Sequence, residues 1–153
     1  MIENEDKISD LKEANPIDAA EWLFTHNRNC AQAICAAFGP DLGLPRPLAL
    51  AVSSGLGAGL SRQAEVCGAV SGALLILGLR HNGEKAKVYQ AGQEFIKRFK
   101  TRHGSIICRE LLPCDISTEV GYMTAKEQGI FSSVCPKLVR AAAEILEDLI
   151  KDS

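Results

Sequence analysis

The stretch Glu65-Val66-Cys67-Gly68-Ala69-Val70-Ser71-Gly72-Ala73-Leu74-Leu75-Ile76-Leu77-Gly78-Leu79 carries no charge from residue 66 to residue 79. Its length and its run of Ala, Leu and Ile read as a buried helix with Cys67 in the first turn. Gly68 and Gly72 lie four apart, so on a helix they share one face. Each costs about 1 kcal/mol against alanine in a helix interior. Two such costs in one buried helix predict a close approach to its backbone. The visitor is either another helix or a bound group beside Cys67.

Outward from this stretch, apolar runs alternate with helix breakers along the whole chain. Pro16 suits a first helical position and Asn15 its cap, which predicts a helix over 16–26 that buries Ile17, Ala20, Leu23 and Phe24. Asn29 caps a second helix, 30–38, and Gly39-Pro40 ends it. Residues 41–47 form a loop before a short apolar helix at 48–54. A glycine-rich connector, 55–62, leads into the opening stretch, which His81-Asn82-Gly83 closes.

Beyond it, residues 84–103 predict a helix with an apolar stripe of Val88, Ala91, Phe95 and Phe99. Gly104 suits the left-handed position after a helix, and Ser105 can cap a short helix at 106–112 that Pro113 stops. Residues 114–117 read as a loop, and 118–128 as a helix ending at Gly129. The last helix starts at 135 or 136 and runs to about 151 with a stripe of Leu138, Ala142, Ile145 and Leu149. Residues 1–15 are polar and read as a tail or frayed helix. No period-two apolar run of useful length occurs, so no sheet is expected. The expectation is an all-α, single-domain compact bundle of about six to eight helices of unequal length.

Composition narrows the function classes. The chain has 153 residues, enough for one domain with a real core. Its net charge is −2 and no basic block interleaves with aromatics, so nucleic-acid binding is not expected. The acidic start lacks a basic region followed by an apolar run, so no signal peptide is read. The longest uncharged run falls well short of the length needed to span a bilayer. These features point to a soluble cytoplasmic protein. The apolar 48–60 region offers a surface for a homodimer.

Six cysteines is a high count for such a chain. A cytosolic location disfavours permanent disulfides and leaves metal binding, redox chemistry or plain buried thiols. Four of the cysteines share a setting: Cys30, Cys67, Cys108 and Cys135 each fall at a predicted helix start. Free N–H groups and the positive end of the helix dipole stabilise a thiolate there. Thiols on four helices could converge in a bundle core. Cys35 is mid-helix and reads as core packing, and Cys114 lies in a loop. No C-x-x-C pattern occurs, so spacing alone selects neither zinc nor thioredoxin-type chemistry. Buried thiols that merely fill space remain as plausible on spacing alone.

The segments Asn29-Cys30-Ala31-Gln32-Ala33, residues 55–62, Cys67-Gly68-Ala69-Val70-Ser71-Gly72-Ala73, Gly104-Ser105 with Cys108-Arg109-Glu110-Leu111-Leu112, and Cys135-Pro136 resemble the C-GCAxxG-C-C family of putative redox-active proteins. The resemblance spans roughly residues 19–149 and maps the family's pattern cysteines onto Cys30, Cys67, Cys108 and Cys135. That family looks like the non-haem part of the split-Soret cytochromes, whose cysteines bind an iron–sulfur cluster. The resemblance implies a similar cluster on these four residues, [2Fe-2S] rather than [4Fe-4S], with Gly68 and Gly72 giving it room. It implies electron transfer or redox sensing with an unidentified redox partner. Where relatives carry an aromatic residue and more glycine, this chain has Leu56 and Ala58.

Two other readings stand beside the cluster. One is a metal-free thiol–disulfide protein, with pairs such as Cys30–Cys67 and Cys108–Cys135. The other is a structural zinc site, or a helical adaptor with buried thiols. His26, His81 and His103 fall at helix ends and read as exposed caps. Arg62, Arg109 and Glu110 flank pattern cysteines, either offsetting charge at the site or forming surface ion pairs. The glycines of 55–59 follow no strand and lack a Gly-Lys-Ser/Thr end, so they are not read as a phosphate loop. Ser71 has no general base at a defined spacing, so no hydrolase chemistry is read.

Overall fold

A computed structural model describes residues 14–153, so the expected tail lies almost wholly outside the described residues. The fold is an all-α bundle. Among the described residues, seven helices have eight or more residues and no strand occurs. None of the described helices is long and apolar enough to cross a membrane.

Local chemistry sets the helix starts. In α1 (Pro16–Thr25) the Asn15 side chain accepts from the Asp18 N–H at 3.0 Å. In α2 (Cys30–Phe38) Asn29 and Gln32 form a reciprocal capping box, with bonds of 2.9 and 3.1 Å. The next helix, α3 (Arg46–Ser53), begins two residues before the expected start. Pro47 is tolerated in that first turn because its missing N–H would have had no partner there.

The opening stretch forms α4 (Gly68–Arg80), followed by α5 (Lys85–His103) and the single turn α6 (Cys108–Leu111). The expected helix at 106–112 starts late because the Ser105 hydroxyl accepts from the Ile107 N–H and holds Ile107 extended. The chain ends with α7 (Glu119–Glu127), the single turn α8 (Ile130–Ser133) and α9 (Cys135–Lys151). The sequence reading did not anticipate α8.

The deepest helix is α2 rather than the opening stretch: all but Cys30 and Gln32 of its residues are buried. It packs against α1, α3, α4 and α9. The glycines of α4 explain how α2 comes so close. A Cβ on Gly72 would stand 3.0 Å from the Ala31 carbonyl oxygen and 3.1 Å from its Cα. A Cβ on Gly68 would stand 3.0 Å from the Ala31 nitrogen and 3.1 Å from the Cys30 Cβ. The visitor to this backbone is therefore a helix, and alanine at α2's crossing point completes the fit.

On the other side of α4, α9 lies across α1, α4 and α5, and Phe95 and Phe99 fill the space beneath it. The three histidines do not behave alike. His26 is exposed and stacks on Trp22, and His81 ends α4. His103 departs from the expected exposed cap. It tilts against Phe99, and among the described residues its buried Nε2 has no partner. Burial holds its pKa below the usual histidine value.

The connector before α4 opens on a 3-10 turn, Ser54–Leu56, and continues in a left-handed turn that its glycines alone would not predict. Ala58, Gly59, Leu60, Ser61, Arg62 and Ala64 all have positive φ. For residues other than glycine the left-handed region costs roughly 1–2 kcal/mol each. Hydrogen bonds keep the chain there: Glu65 N–H to Gly59 O at 2.9 Å and the Ser61 hydroxyl to Gly55 O at 2.8 Å. The connector also docks on the cap of α2, where the Asn29 side-chain amide donates to Ser54 O at 2.9 Å. Gly57 faces the same Asn29 side chain, which leaves no space for a Cβ.

Candidate functional site: four thiols around one cavity

The four cysteines singled out by their helix-start setting all line one cavity of about 740 Å³. Cys30, Cys108 and Cys135 are the first residues of α2, α6 and α9, whereas Cys67 stands one place before α4 as its cap. Cys67, Cys108 and Cys135 are buried, and Cys30 is partly so. Among the described residues, no histidine, aspartate or glutamate lines this cavity, so the soft metal-binding donors supplied there are the four sulfurs. All six cysteines are free thiols in this structure.

Each thiol is placed by a different device. Gly68 lets Cys30 stand beside Cys67, because any side chain there would press on the Cys30 Cβ. Gly68 also lines the cavity, whereas Gly72 packs against Ala31 and is not among the lining residues. Cys67 and Cys108 are joined through the backbone. Cys67 N–H donates to Ile106 O at 2.8 Å and Cys108 N–H donates to Glu65 O at 2.6 Å, around an isolated antiparallel bridge between Val66 and Ile107.

Arg109 reinforces that join. Its Nε donates to Ala64 O at 3.1 Å, and its Nη2 to Gln63 O at 3.0 Å and Glu65 Oε1 at 2.7 Å. One guanidinium next to Cys108 thus ties down the strained connector that leads into Cys67. Arg62 stacks over the Tyr122 ring at 4.0 Å, and Glu110 accepts from Ser105. These flanking residues brace the surrounding chain.

The helix-start setting predicts a lowered pKa for all four thiols, and the structure corrects this. Cys67 is lowered, but Cys30 and Cys108 are raised. The main cause at Cys67 is hydrogen bonding from Cys30, opposed by burial and assisted by the N–H groups of Ala69 and Val70. Those N–H groups lean on the sulfur without closing a full capping bond. Cys30 is raised, first by its interaction with Cys135, then by Cys67 and burial. These thiol–thiol interactions are weak, since sulfur is a poor donor and acceptor. Burial, with the charges of Cys67 and Cys135, pushes Cys108 up to about 12. A single turn such as α6 supplies too little dipole to offset that.

Cys35 and Cys114 lie apart from this group. Burial pushes Cys35 up to about 11, and its thiol donates to Gly72 O at 3.5 Å, as a core residue does. Cys114 is half-buried in its loop.

Among the described residues, no three Cys, His, Asp or Glu side chains converge as a single metal ion requires. The sulfurs are free of disulfides, and Cys30 interacts with both Cys67 and Cys135. Ligation deprotonates thiols and turns them toward a common centre. The donor type and the shared cavity fit a thiolate-bound group.

No motif points to Tyr122, Phe131, Arg28 or Lys126 as lining residues. Phe131 arrives on α8, and its ring meets that of Tyr122 at 5.5 Å. Among the described residues, Arg28 and Lys126 are the charged lining residues. Arg28 sits in the break between α1 and α2, directly before the cap of Cys30's helix, a placement visible in the sequence once that break is given weight.

A protein-family model, described as "Putative redox-active protein (C_GCAxxG_C_C)", matches residues 28–149. The chain therefore belongs to the C_GCAxxG_C_C family, and the match takes in all four thiols of the cavity. No curated protein and no solved structure matches it.

Proposed function

We propose that this member of the C_GCAxxG_C_C family holds an iron–sulfur cluster on Cys30, Cys67, Cys108 and Cys135 and serves in electron transfer or redox sensing. The observation that carries the reading is that four thiols, from four helix starts, line one cavity which no histidine, aspartate or glutamate among the described residues lines. Four cysteine thiolates are the usual protein cage for such a cluster, and when bound it supplies reversible one-electron chemistry. The resemblance to the split-Soret cytochromes' non-haem part favours a two-iron cluster, in which each iron would take two of the thiols.

This chain's own residues would prepare the site. Gly68 admits Cys30 beside Cys67. The Ala69 and Val70 N–H groups hold negative charge at the Cys67 sulfur. Arg109 fixes the spacing between Cys67 and Cys108 through the connector. Phe24, Tyr122 and Phe131 limit the entry of water. Free thiols of this kind persist in a reducing compartment, which supports a cytoplasmic location.

Anaerobically purified protein should be brown, absorb in the visible range and contain iron and sulfide. Colourless, iron-free protein after anaerobic reconstitution would contradict the reading. A second reading rests on the Cys30–Cys67 pair. A lowered thiol beside a raised one is the arrangement of a dithiol that oxidises reversibly to a disulfide, releasing two electrons and its protons to a disulfide oxidant. Thiol titration before and after reductant separates the two. Six free thiols under oxidising conditions would rule out the dithiol.

A further inference from the structure

The sulfurs occupy only part of the cavity's wall. The cavity, about 740 Å³, lies within the range of roughly 300–1,000 Å³ typical of small-molecule sites. Its wall away from the sulfurs is largely apolar and aromatic, with Phe24, Tyr122, Phe131 and Leu138. Among the described residues its charged lining residues are Arg28 and Lys126, both cationic, in a chain that carries more acidic than basic residues overall.

Arg28 stands out among the eight arginines. Arg98, Arg102, Arg109 and Arg140 form ion pairs. Arg46 donates to Ala36 O, Arg80 to Ser153 O, and Arg62 stacks on Tyr122. Among the described residues, the Arg28 side chain has no hydrogen-bond, ion-pair or ring partner, although the residue is half-buried and lines the cavity. A guanidinium offers a flat fork of donors that matches a carboxylate in two parallel hydrogen bonds. With no protein partner among the described residues, its guanidinium is open to an anion that enters the cavity.

We propose that the cavity binds a small organic carboxylate, with its carboxylate on Arg28, its apolar body against Phe24, Tyr122 and Phe131, and Lys126 adding attraction at the exposed rim. This site goes beyond the cluster reading, since Arg28 and the aromatic wall are in place whether or not the sulfurs hold iron. It would bring a carboxylate-bearing molecule within reach of the thiol centre.

Benzoate and its neutral counterpart benzamide test the proposal by calorimetric titration of the full chain, both iron-free and after anaerobic reconstitution. Benzoate should bind and benzamide should bind at least about tenfold more weakly, the scale of one charged hydrogen bond. Arg28→Gln should weaken benzoate about tenfold or more and leave benzamide unchanged. Arg28→Lys, which keeps the charge but loses the fork, should fall between. Circular dichroism and the melting temperature check that each variant is folded. Equal binding of the two probes, no binding of benzoate, or unchanged benzoate binding in a folded Arg28→Gln protein would overturn the proposal. Iron content is measured separately on the same samples. Benzoate binding without iron uptake would therefore uphold this site and reject the cluster.

Discussion

The two sides of the thiol cavity are built on opposite principles. On one side Cys30 and Cys67 are set by packing: α2 and α4 cross at Ala31, Gly68 and Gly72, with nothing larger than a methyl group between backbones. On the other side Cys67 and Cys108 are set by hydrogen bonds that bind a left-handed connector to α6 through Arg109. Cys67 belongs to both. Packing resists change in volume, whereas a tethered, strained loop gives way when its tether is cut. The packed side should therefore fail by unfolding, and the tethered side by losing its geometry while the fold survives.

The sharpest way to break the comparison is to fill the crossing. Gly72→Leu places a large side chain against the Ala31 backbone, which is already at 3.0 Å from where a Cβ would lie. Overpacking of this kind costs about 1–3 kcal/mol or more, so the melting temperature should drop markedly and the thiol site should be lost with it. Cys35→Ala, in the core but off the cavity, should leave iron content and thiol reactivity near those of the parent. Equal metal content in the two variants would mean that the glycines serve helix packing alone.

Cutting the tether should act differently. Arg109→Ala removes three hydrogen bonds from a half-exposed side chain, a stability loss of about 1–2 kcal/mol. Alkylation of Cys67 and Cys108 should accelerate well beyond what that loss explains, while Cys35 stays protected. If all three thiols speed up together, Arg109 supports the fold as a whole and the contrast between the sides fails.

The two sides also differ in acidity. Cys67 is lowered and Cys108 is pushed up to about 12. In iron-free protein, alkylation followed by peptide mapping should show Cys67 reacting at lower pH than Cys108. The sign for stability follows from the raised group. Folding favours the protonated Cys108, so its contribution is intact below the ordinary thiol value of 9.0 and is lost as pH rises toward 12. Cys108→Ser should flatten the alkaline part of the stability profile. The smallest effect is expected at Ala58, whose φ of 55° suits glycine. Ala58→Gly relieves about 1 kcal/mol of strain and gives back part of it as unfolded-chain entropy, so a slight rise in melting temperature is expected.

The packed side was legible in the sequence and the tethered side was not. Asn15, Asn29, Pro16, Gly104 and Pro136 fixed helix ends through short-range chemistry, and Gly68 and Gly72 announced a close approach. What they could not say was that the visitor is α2, because partner choice is a long-range fact. The connector was opaque for a related reason. Ala58, Leu60 and Arg62 have no intrinsic preference for positive φ, so their conformation comes from tertiary bonds to Asn29, Ser61 and Arg109. The four thiols do lie at helix starts, but the acidity expected from that setting fails at Cys30 and Cys108, where burial and neighbouring sulfurs outweigh the dipole. Arg28 went unread because an unpaired cation is visible only once the other charges have found partners.

The most direct test of the account is iron and acid-labile sulfide content, with a visible spectrum, on anaerobically purified protein and on Cys67→Ala. Cys67 is the residue shared by both sides of the cavity. The account predicts about two irons and two sulfides per chain in the parent, as a two-iron cluster requires, and neither in Cys67→Ala. Iron-free parent protein after anaerobic reconstitution, or equal iron in parent and variant, would contradict it.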